Sequence, residues 1–351
     1  MTSFVSALLA MHGEFRRAKG VAAAGKRLIA SLRVLAFPGL MRRMSDERYL
    51  QHVERKRGSD DEPWDPFHFI SHPGYLALGY TLEQRFRAAL HHYRFEAETF
   101  DEAMLKTLYS PQGFTLWSAE IDGHHFEMRM GTAGVETLEG DLYLRLFTNG
   151  QQVGSMNLVW ADAAMFGGPS RPTIFITRCQ THTWPELQIF RACFKQNSPP
   201  YFGLAALAGI GQVLGMTDLY AVHGLAQMHY EPKYESSFRN SYDEFWEKFS
   251  AERVRPEAFR MPLPLALRDL SELKSKHRSR AEGRRRAGGE VGEAAAAAMA
   301  QHLHSAARPA AAPERAATSA ALDPQAKALC AAALLAEGLE LLPAPLLLSM
   351  V

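Results

Sequence analysis

The residue types best suited to acid–base chemistry in this chain are His229 and Asp243. An imidazole titrates near neutral pH, so His229 is predicted either to exchange a proton or contact a substrate, or to make a structural hydrogen bond. Asp243 is predicted either as a catalytic base oriented against His229 or as a helix cap whose carboxylate accepts backbone N–H groups. No carboxylate stands at zinc-binding spacing from a histidine, so the sequence predicts no metal site.

Residues 173–179 are β-branched and aromatic and are predicted as a strand, and Arg178 and Gln180 lie at the end of the candidate segment 173–181. Simple alternation puts both side chains on the same face as Ile174 and Ile176. A polar pair at the end of an apolar face is predicted to line a substrate pocket. The alternative is a strand that leaves the core there and ends in solvent.

Tyr242 and Trp246 stand at the helical spacing i and i+4 and therefore share a helix face. They are predicted either to bury a large aromatic area in the core or to bind substrate.

The turn at residues 196–203 is a candidate phosphate site. Ser198 is a predicted N-cap before Pro199-Pro200, and a helix N-terminus attracts anions through its free amides and dipole. Ser198, Tyr201 and Gly203 are therefore predicted to bind the phosphates of a cofactor. The two prolines remove two amides from this cradle.

A basic run close to residue 280 is the second candidate anion site, with Lys274, Lys276, Arg278 and Arg280 as its members. It contains no aromatic residue, so base stacking is not predicted. Contacts to phosphate through charge remain open, with anionic lipid as the favoured partner. Nucleic acid has only charge in its favour.

Missing motifs argue against two reaction classes. The Gly-x-Ser-x-Gly elbow of serine hydrolases is missing. The complete Gly-x-x-x-x-Gly-Lys-Ser/Thr loop of nucleotidases is missing too, because Gly20–Lys26 fits its first seven positions but Arg27 follows. His91 and Glu96 fit the His-x-x-x-x-Glu pattern of lipid acyltransferases, and so do His277 and Glu282. Chance yields that many matches in a chain with 14 His and 38 acidic residues.

The elements that must position these side chains are strands in the middle of the chain, with helices on both sides. Asp122-Gly123 and Asn149-Gly150 are hairpin turns, because their residues tolerate positive φ. The predicted strands are residues 114–121, 125–130, 142–147, 152–160, 173–179 and 219–222. The predicted helices are residues 81–96, 185–196, 202–215, 242–249 and 262–273.

Composition bounds the class of protein. The chain has 351 residues, 47% of them hydrophobic, and a net charge of +1, which argues against general nucleic-acid binding. Three scattered cysteines form no disulfide framework or zinc signature. The N-terminus lacks the charge order of a secretory signal, and no uncharged apolar run reaches the roughly 18 residues that span a bilayer. The sequence predicts a cytoplasmic protein, with peripheral attachment to the inner membrane as a variant.

Three segments follow from these patterns. Residues 1–66 are predicted as a basic helical region and linker, residues 67–286 as an α+β domain, and residues 287–351 as a disordered Ala-rich tail.

The order of motifs after residue 218 resembles the bacterial VirK/YbjX family. The resemblance rests on the strand Leu219–Val222, His229-Tyr230, the run Ser241–Trp246 and the basic end from Lys274. It covers about residues 35–286 and implies links to envelope integrity and virulence. The family has no settled molecular activity.

The predicted fold is α+β, a mainly antiparallel sheet flanked by helices. Its order of elements resembles the Gcn5-related acyltransferase fold, in which a central strand splays from its neighbour and a helix N-terminus holds a pyrophosphate. That resemblance implies a coenzyme A thioester as cofactor, although the family's Gln/Arg-x-x-Gly-x-Gly/Ala signature is absent. Two functions stay open: an acyltransferase-like enzyme with an acyl-coenzyme A or aminoacyl donor, or a non-catalytic factor that binds anionic lipid or an envelope protein through basic faces.

Overall fold

The computed structural model describes residues 9, 32–44, 68–132, 139–195, 197–267, 269–272 and 274–304, all of them within the compact unit Met1–Pro309. The α+β prediction is confirmed. Most of the predicted basic N-terminal region lies outside the described residues. Its described part contains a short 3₁₀ turn, Arg33–Ala36, and helix α1, Pro38–Met44, whose Leu40 and Met41 are buried.

One mainly antiparallel sheet of eight strands forms the centre of the described fold. Its order is β1-β2-β3-β4-β5-β6-β8-β7. The bounds are β1 Phe114–Ile121, β2 His124–Thr132, β3 Leu142–Thr148, β4 Gln151–Asp162, β5 Pro172–Thr181, β6 Asp218–Val222, β7 Glu252–Arg255 and β8 Ala258–Pro262.

Two predicted hairpin turns are confirmed. Asp122 and Gly123 have φ of 52° and 76°, and Asn149 and Gly150 have φ of 51° and 81°. Positive φ at both turn residues matches the right-handed twist of the strands on either side. These turns fix the register of β1 with β2 and of β3 with β4.

Strands β5 and β6 form the one parallel pair of the described sheet. Their pairing covers only Ile174–Ile176 against Leu219–Ala221. The crossover contains helix α5, Pro185–Cys193, and helix α6, Pro199–Val213. Helix α6 packs on the sheet so closely that a Cβ at Gly203 would lie 2.9 Å from Met156 Sδ.

The helices before the sheet begin where polar caps predict. A short helix α2, His68–Ser71, precedes helix α3, Leu82–Thr99, in which Thr81 and Gln84 form a capping box. Helix α4, Glu102–Leu108, begins after Asp101, whose carboxylate accepts the N–H of Met104. These caps satisfy backbone donors that the helix itself leaves open.

The segment after β6 differs from the prediction of a helix over residues 242–249. Helix α7, Glu235–Phe238, continues through a π turn, Arg239–Asp243, into helix α8, Glu244–Glu247. The predicted helix over residues 262–273 is also wrong. Strand β8 ends at Pro262. Among the described residues of 263–272, the helical part is a 3₁₀ turn, Leu270–Glu272. Prolines at 262 and 264 supply no N–H for a helix.

Helix α9, Ser275–Ala300, carries the packed part of the chain past residue 287. Val291, Ala295 and Met299 are buried, so residues 287–304 do not belong to a loose tail. A Cβ at Gly209 of α6 would lie 2.1 Å from the carbonyl oxygen of Gly292, which shows how closely the two backbones approach. Residues 305–351 lie outside the described residues. No described helix has both the length and the apolar character needed to cross a membrane.

Candidate functional site

A buried carboxylate, Glu139, is the centre of the candidate site. Its side chain is 2% exposed. One oxygen, Oε1, lies 3.2 Å from Arg178 Nη1, 3.2 Å from Gln227 Nε2 and 3.4 Å from His229 Nε2. The other oxygen, Oε2, has no hydrogen-bond partner among the described residues. We call these four residues the Glu139 cluster.

Glu139 is held by the chain on both sides of it. Its carbonyl oxygen accepts the N–H of Leu76 at 2.8 Å. Asp141, two residues on, accepts hydrogen bonds from Tyr75 and from Tyr93, the latter at 2.9 Å. The buried network ties the start of β3 to helix α3 and therefore fixes the position of the Glu139 backbone.

Gln227 and His229 reach the cluster from the turn that follows β6. The Gln227 carbonyl Oε1 accepts the N–H of His229 at 2.6 Å, while its amide group donates to Glu139. The carbonyl of Ala226 accepts the N–H of Leu78 at 2.7 Å. The His229 side chain is 55% exposed, so its ring contacts the buried carboxylate on one side and solvent on the other.

A β-bulge at Thr177 turns Arg178 into the cluster. In the pairing of β4 with β5, Leu158 opposes Ile176 while the next residue, Asn157, opposes Arg178. Thr177 is thus the extra residue, and the alternation of side chains shifts by one position. The prediction that Arg178 and Gln180 share a face with Ile174 and Ile176 is therefore wrong.

Charge holds Glu139 in its ionised form. Burial alone would raise the pKa of Glu139, but the hydrogen bond from His229 and the charge of Arg178 outweigh it, and the pKa lies below its ordinary value. The Nε2 atom of His229 faces this carboxylate, so an Nε2–H tautomer leaves Nδ1 free to accept a proton. The cluster combines an oriented imidazole with a fixed anion and a fixed cation.

Asp243 does not lie against His229 and does not cap its own helix. Its Oδ1 accepts the N–H of Gly224 at 2.8 Å, and its Oδ2 lies 3.5 Å from His223 Nε2. His223 is itself buried, and burial lowers its pKa despite the charge of Asp243. The π turn places Asp243 against the end of β6, where it fixes the turn that carries Gln227 and His229.

Tyr242 and Trp246 share a helix face, with ring centroids 6.5 Å apart, but both are buried. The Tyr242 hydroxyl accepts the N–H of Cys179 at 3.4 Å, and Trp246 Nε1 donates to the carbonyl of Val222 at 3.1 Å. Burial raises the pKa of both Tyr242 and Cys179, the latter to about 12. Their contacts tie helices α7 and α8 to the ends of β5 and β6.

The start of helix α6 is closely packed. Ser198 makes no side-chain cap, and its N–H bonds the side chain of Asn197 at 2.9 Å. The N–H of Tyr201 bonds the carbonyl of Ser198 at 3.0 Å, and the ring of Tyr201 lies against Gly288 of α9. Gly203 is buried against Met156. A phosphate at Ser198, Tyr201 and Gly203 would compete with these internal bonds.

The basic run lies at the beginning of α9, far along the chain from the Glu139 cluster. Lys274 precedes the helix, and Arg278 and Arg280 are exposed on its first turns. Arg278 donates to the carbonyl of Ser271 at 3.1 Å. Lys276 belongs to the helix, but its side chain lies outside the described residues. In the described part of the chain no three His, Cys, Asp or Glu side chains come together as a metal site.

Sequence reasoning missed Glu139 and Gln227. Neither belongs to a motif, and each becomes part of the site only because a bulge and a turn bring distant segments together. The one local signal for Glu139 is its place directly before Gly140-Asp141 and an alternating strand.

Comparison with known proteins gives a family but no activity. A family described as "Protein of unknown function (DUF535)" matches residues 23–287, more than half of the chain, and this is the family that contains VirK/YbjX. No curated protein and no solved structure matches.

Proposed function

Since the chain belongs to the DUF535 family, whose description names no activity, its chemistry has to be inferred from its own site, and we propose that it is an acyltransferase-like enzyme. Its donor is an acyl-coenzyme A or another activated acyl or aminoacyl group. The Glu139 cluster activates the acceptor. The observation that carries the proposal is the position of a carboxylate-oriented imidazole at the point where two parallel strands part.

The parting strands form the mouth of the site. Strands β5 and β6 stop pairing after Ile176 and Ala221. Beyond that point Arg178 lies on one side, and Gln227 and His229 lie on the other. In a Gcn5-related fold the donor lies where two such strands diverge, so the thioester would meet the acceptor at His229.

His229 is the proposed general base. Glu139 holds the Nε2 side of the ring, and Nδ1 takes the proton from an amine or hydroxyl of the acceptor. The acceptor atom then bonds to the thioester carbonyl carbon, the carbon–sulfur bond breaks, and the leaving thiolate receives the proton. The negative charge of Glu139 stabilises the imidazolium that forms between these two proton transfers.

The test is a thermal unfolding series with coenzyme A, acetyl-coenzyme A and a long-chain acyl-coenzyme A. A ligand at about 100 times its dissociation constant stabilises the native state by about 2.7 kcal/mol. We expect stabilisation by the thioesters and release of free thiol when hydroxylamine is added as a general acceptor. Unchanged unfolding with every member of the series would refute the proposal.

The alternative proposal is a non-catalytic factor that binds an anionic lipid surface. The observation in its favour is that the basic run is displayed on an ordered helix, with exposed Arg278 and Arg280 next to Lys274. It predicts binding to vesicles rich in anionic lipid, and weaker binding at high salt. Replacing Lys274, Lys276, Arg278 and Arg280 with Gln removes that binding if the alternative is right, and leaves it intact if it is wrong.

A further inference from the structure

We propose that a row of hydrogen-bond donors on the open face of the sheet, Arg145, Ser155 and Gln180, binds an anionic group of the acceptor, most simply a phosphoryl group. Only one part of this inference rests on the proposed function, namely that the bound anion belongs to the acceptor of the acyl group. The anion subsite itself can be tested without any acyl donor.

The register of three strands lines the donors up. Arg145 of β3 pairs with Ser155 of β4, and Ser155 pairs with Gln180 of β5. Directly paired residues have Cβ atoms about 5 Å apart, so the three side chains lie side by side on one face. The bulge at Thr177 is what brings Gln180 to this face.

Each member of the row presents a donor without an internal acceptor. Arg178 Nη2 donates to Gln180 Oε1 at 2.9 Å, which fixes the amide so that its NH₂ group points elsewhere. Among the described residues no acceptor is bound to that NH₂ group or to the Ser155 hydroxyl, and no carboxylate pairs with Arg145. All three residues are partly exposed. A row with a cation, two further N–H or O–H donors and no carboxylate suits an anion.

The Arg145 guanidinium is held in place by an aromatic ring. Its Cζ atom lies 3.7 Å from the centroid of the Tyr143 ring. A cation stacked in this way keeps its fork of N–H groups fixed, which favours recognition of phosphate or carboxylate oxygens. Tyr143 itself lies over Gly131 of β2, where a Cβ would be 2.5 Å from its hydroxyl oxygen.

A second observation points to a ligand at the same place. Asn157, two residues from Ser155 on the same face, is completely buried, and both ends of its side-chain amide have no partner among the described residues. Its register partners are Tyr143 and Arg178. Two positive charges reach this place, since Arg178 and Arg145 both add to the effect of burial in lowering the pKa of nearby His182.

The position of the row selects the kind of acceptor. Arg178, which contacts Glu139, and Gln180, which belongs to the row, are two residues apart on β5, on the order of 7 Å. An acceptor with its amine or hydroxyl at His229 would therefore place an anionic group a few bonds away on the row. The expected class is a small phosphorylated amine or alcohol.

The first experiment measures binding of inorganic phosphate and sulfate to the full chain by calorimetry and thermal unfolding. Arg145→Gln and Ser155→Ala are each expected to weaken binding tenfold or more, which equals about 1.4 kcal/mol. The matched control is Arg94→Gln on α3, an exposed arginine whose loss changes the net charge equally. Equal affinity in Arg145→Gln and Arg94→Gln overturns the subsite, as does absence of binding to the unaltered chain.

The second experiment compares 3-aminopropyl phosphate with 3-aminopropanol as acceptors of the acyl group. The phosphorylated amine is expected to have a KM at least tenfold lower, and Arg145→Gln is expected to remove that difference between the two acceptors. Preserved anion binding without transfer to any acceptor supports the subsite and refutes the proposed function. Transfer that ignores the phosphoryl group refutes the acceptor assignment alone.

Discussion

Two histidine–glutamate pairs in this molecule have the same chemical components and opposite surroundings. In helix α3, His92 Nε2 lies 3.2 Å from Glu96 Oε1, and both side chains are completely buried. In the Glu139 cluster the corresponding distance is 3.4 Å, but His229 is 55% exposed. We call the first the sealed pair and the second the open pair.

The sealed pair connects elements of the fold. His92 Nδ1 accepts the N–H of Trp160 at 3.1 Å, where β4 extends beyond the start of β3. Tyr109 donates to Glu96 from the residue after helix α4. Both groups that bond to the pair, the Trp160 N–H and the Tyr109 hydroxyl, belong to the core, so the sealed pair contributes to stability. The open pair differs because its imidazole reaches solvent. Under the proposed function, access to solvent is what separates a reactive pair from a structural one.

The sharpest test of this distinction is His229→Ala. Loss of a general base lowers the rate of thiol release from an acyl-coenzyme A with hydroxylamine by about 100-fold or more. The midpoint of thermal unfolding should fall only modestly, because the ring is exposed and Arg178 and Gln227 still contact Glu139. The control is His125→Ala, another exposed histidine paired with a carboxylate, at 2.7 Å from Glu120. A similar loss of rate in both variants would remove His229 from the mechanism.

His92→Ala should have the reverse profile. The change deprives the buried Trp160 N–H and the Glu96 carboxylate of a partner and leaves a cavity, so the free energy of unfolding should fall by about 3 kcal/mol. Urea unfolding measures this loss. Below the unfolding transition the rate per folded molecule should stay unchanged. A loss under about 1 kcal/mol would mean that the sealed pair does not stabilise the core in the way its burial indicates.

Glu139→Gln separates the charge of the open pair from its shape. The folded-state pKa of Glu139 lies below its ordinary value of 4.5, so its charge adds stability that is present above pH 4.5 and is lost as pH falls through the folded-state pKa. Near neutral pH the variant should lose about 2 kcal/mol of unfolding free energy. The reason is that the partly buried Arg178 guanidinium loses the negative charge of its partner. The difference between the two proteins should shrink in acid. The control is Glu120→Gln, at a side chain 68% exposed, which should change the unfolding free energy by less than about 0.5 kcal/mol near neutral pH.

The sheet could be predicted from the sequence because its signals are local. Asp122-Gly123 and Asn149-Gly150 determine their hairpins through backbone preferences of two residues each. The extent of α9 could not be predicted from the sequence. An Ala- and Gly-rich segment becomes a packed helix only because Gly209 of α6 lets the two backbones approach closely. The prediction of a helix over residues 262–273 was wrong because two prolines interrupt the apolar pattern on which it rested.

The site was predicted only in part because it depends on two non-local events. Arg178 and His229 were both selected from sequence, and the structure brings them to one carboxylate. That carboxylate was not foreseen, since a buried glutamate is tolerable only when donors from β5 and from the turn after β6 converge on it. The bulge at Thr177 leaves no mark on the alternation of residues 173–181, so the face of Arg178 could not be read from the sequence.

The smallest expected effect, and the most specific, belongs to Gln227→Met. Gln227 contacts no substrate in the proposed mechanism; it positions His229 by accepting its N–H and donates to Glu139. Loss of these two bonds should cost about 1 kcal/mol of unfolding free energy. It should lower kcat by about fivefold with KM unchanged, because an imidazole that swings away from Glu139 is a less efficient base. A purely structural Gln227 would leave kcat per folded molecule unchanged. A positioning Gln227 instead lowers kcat per folded molecule and leaves KM as it was.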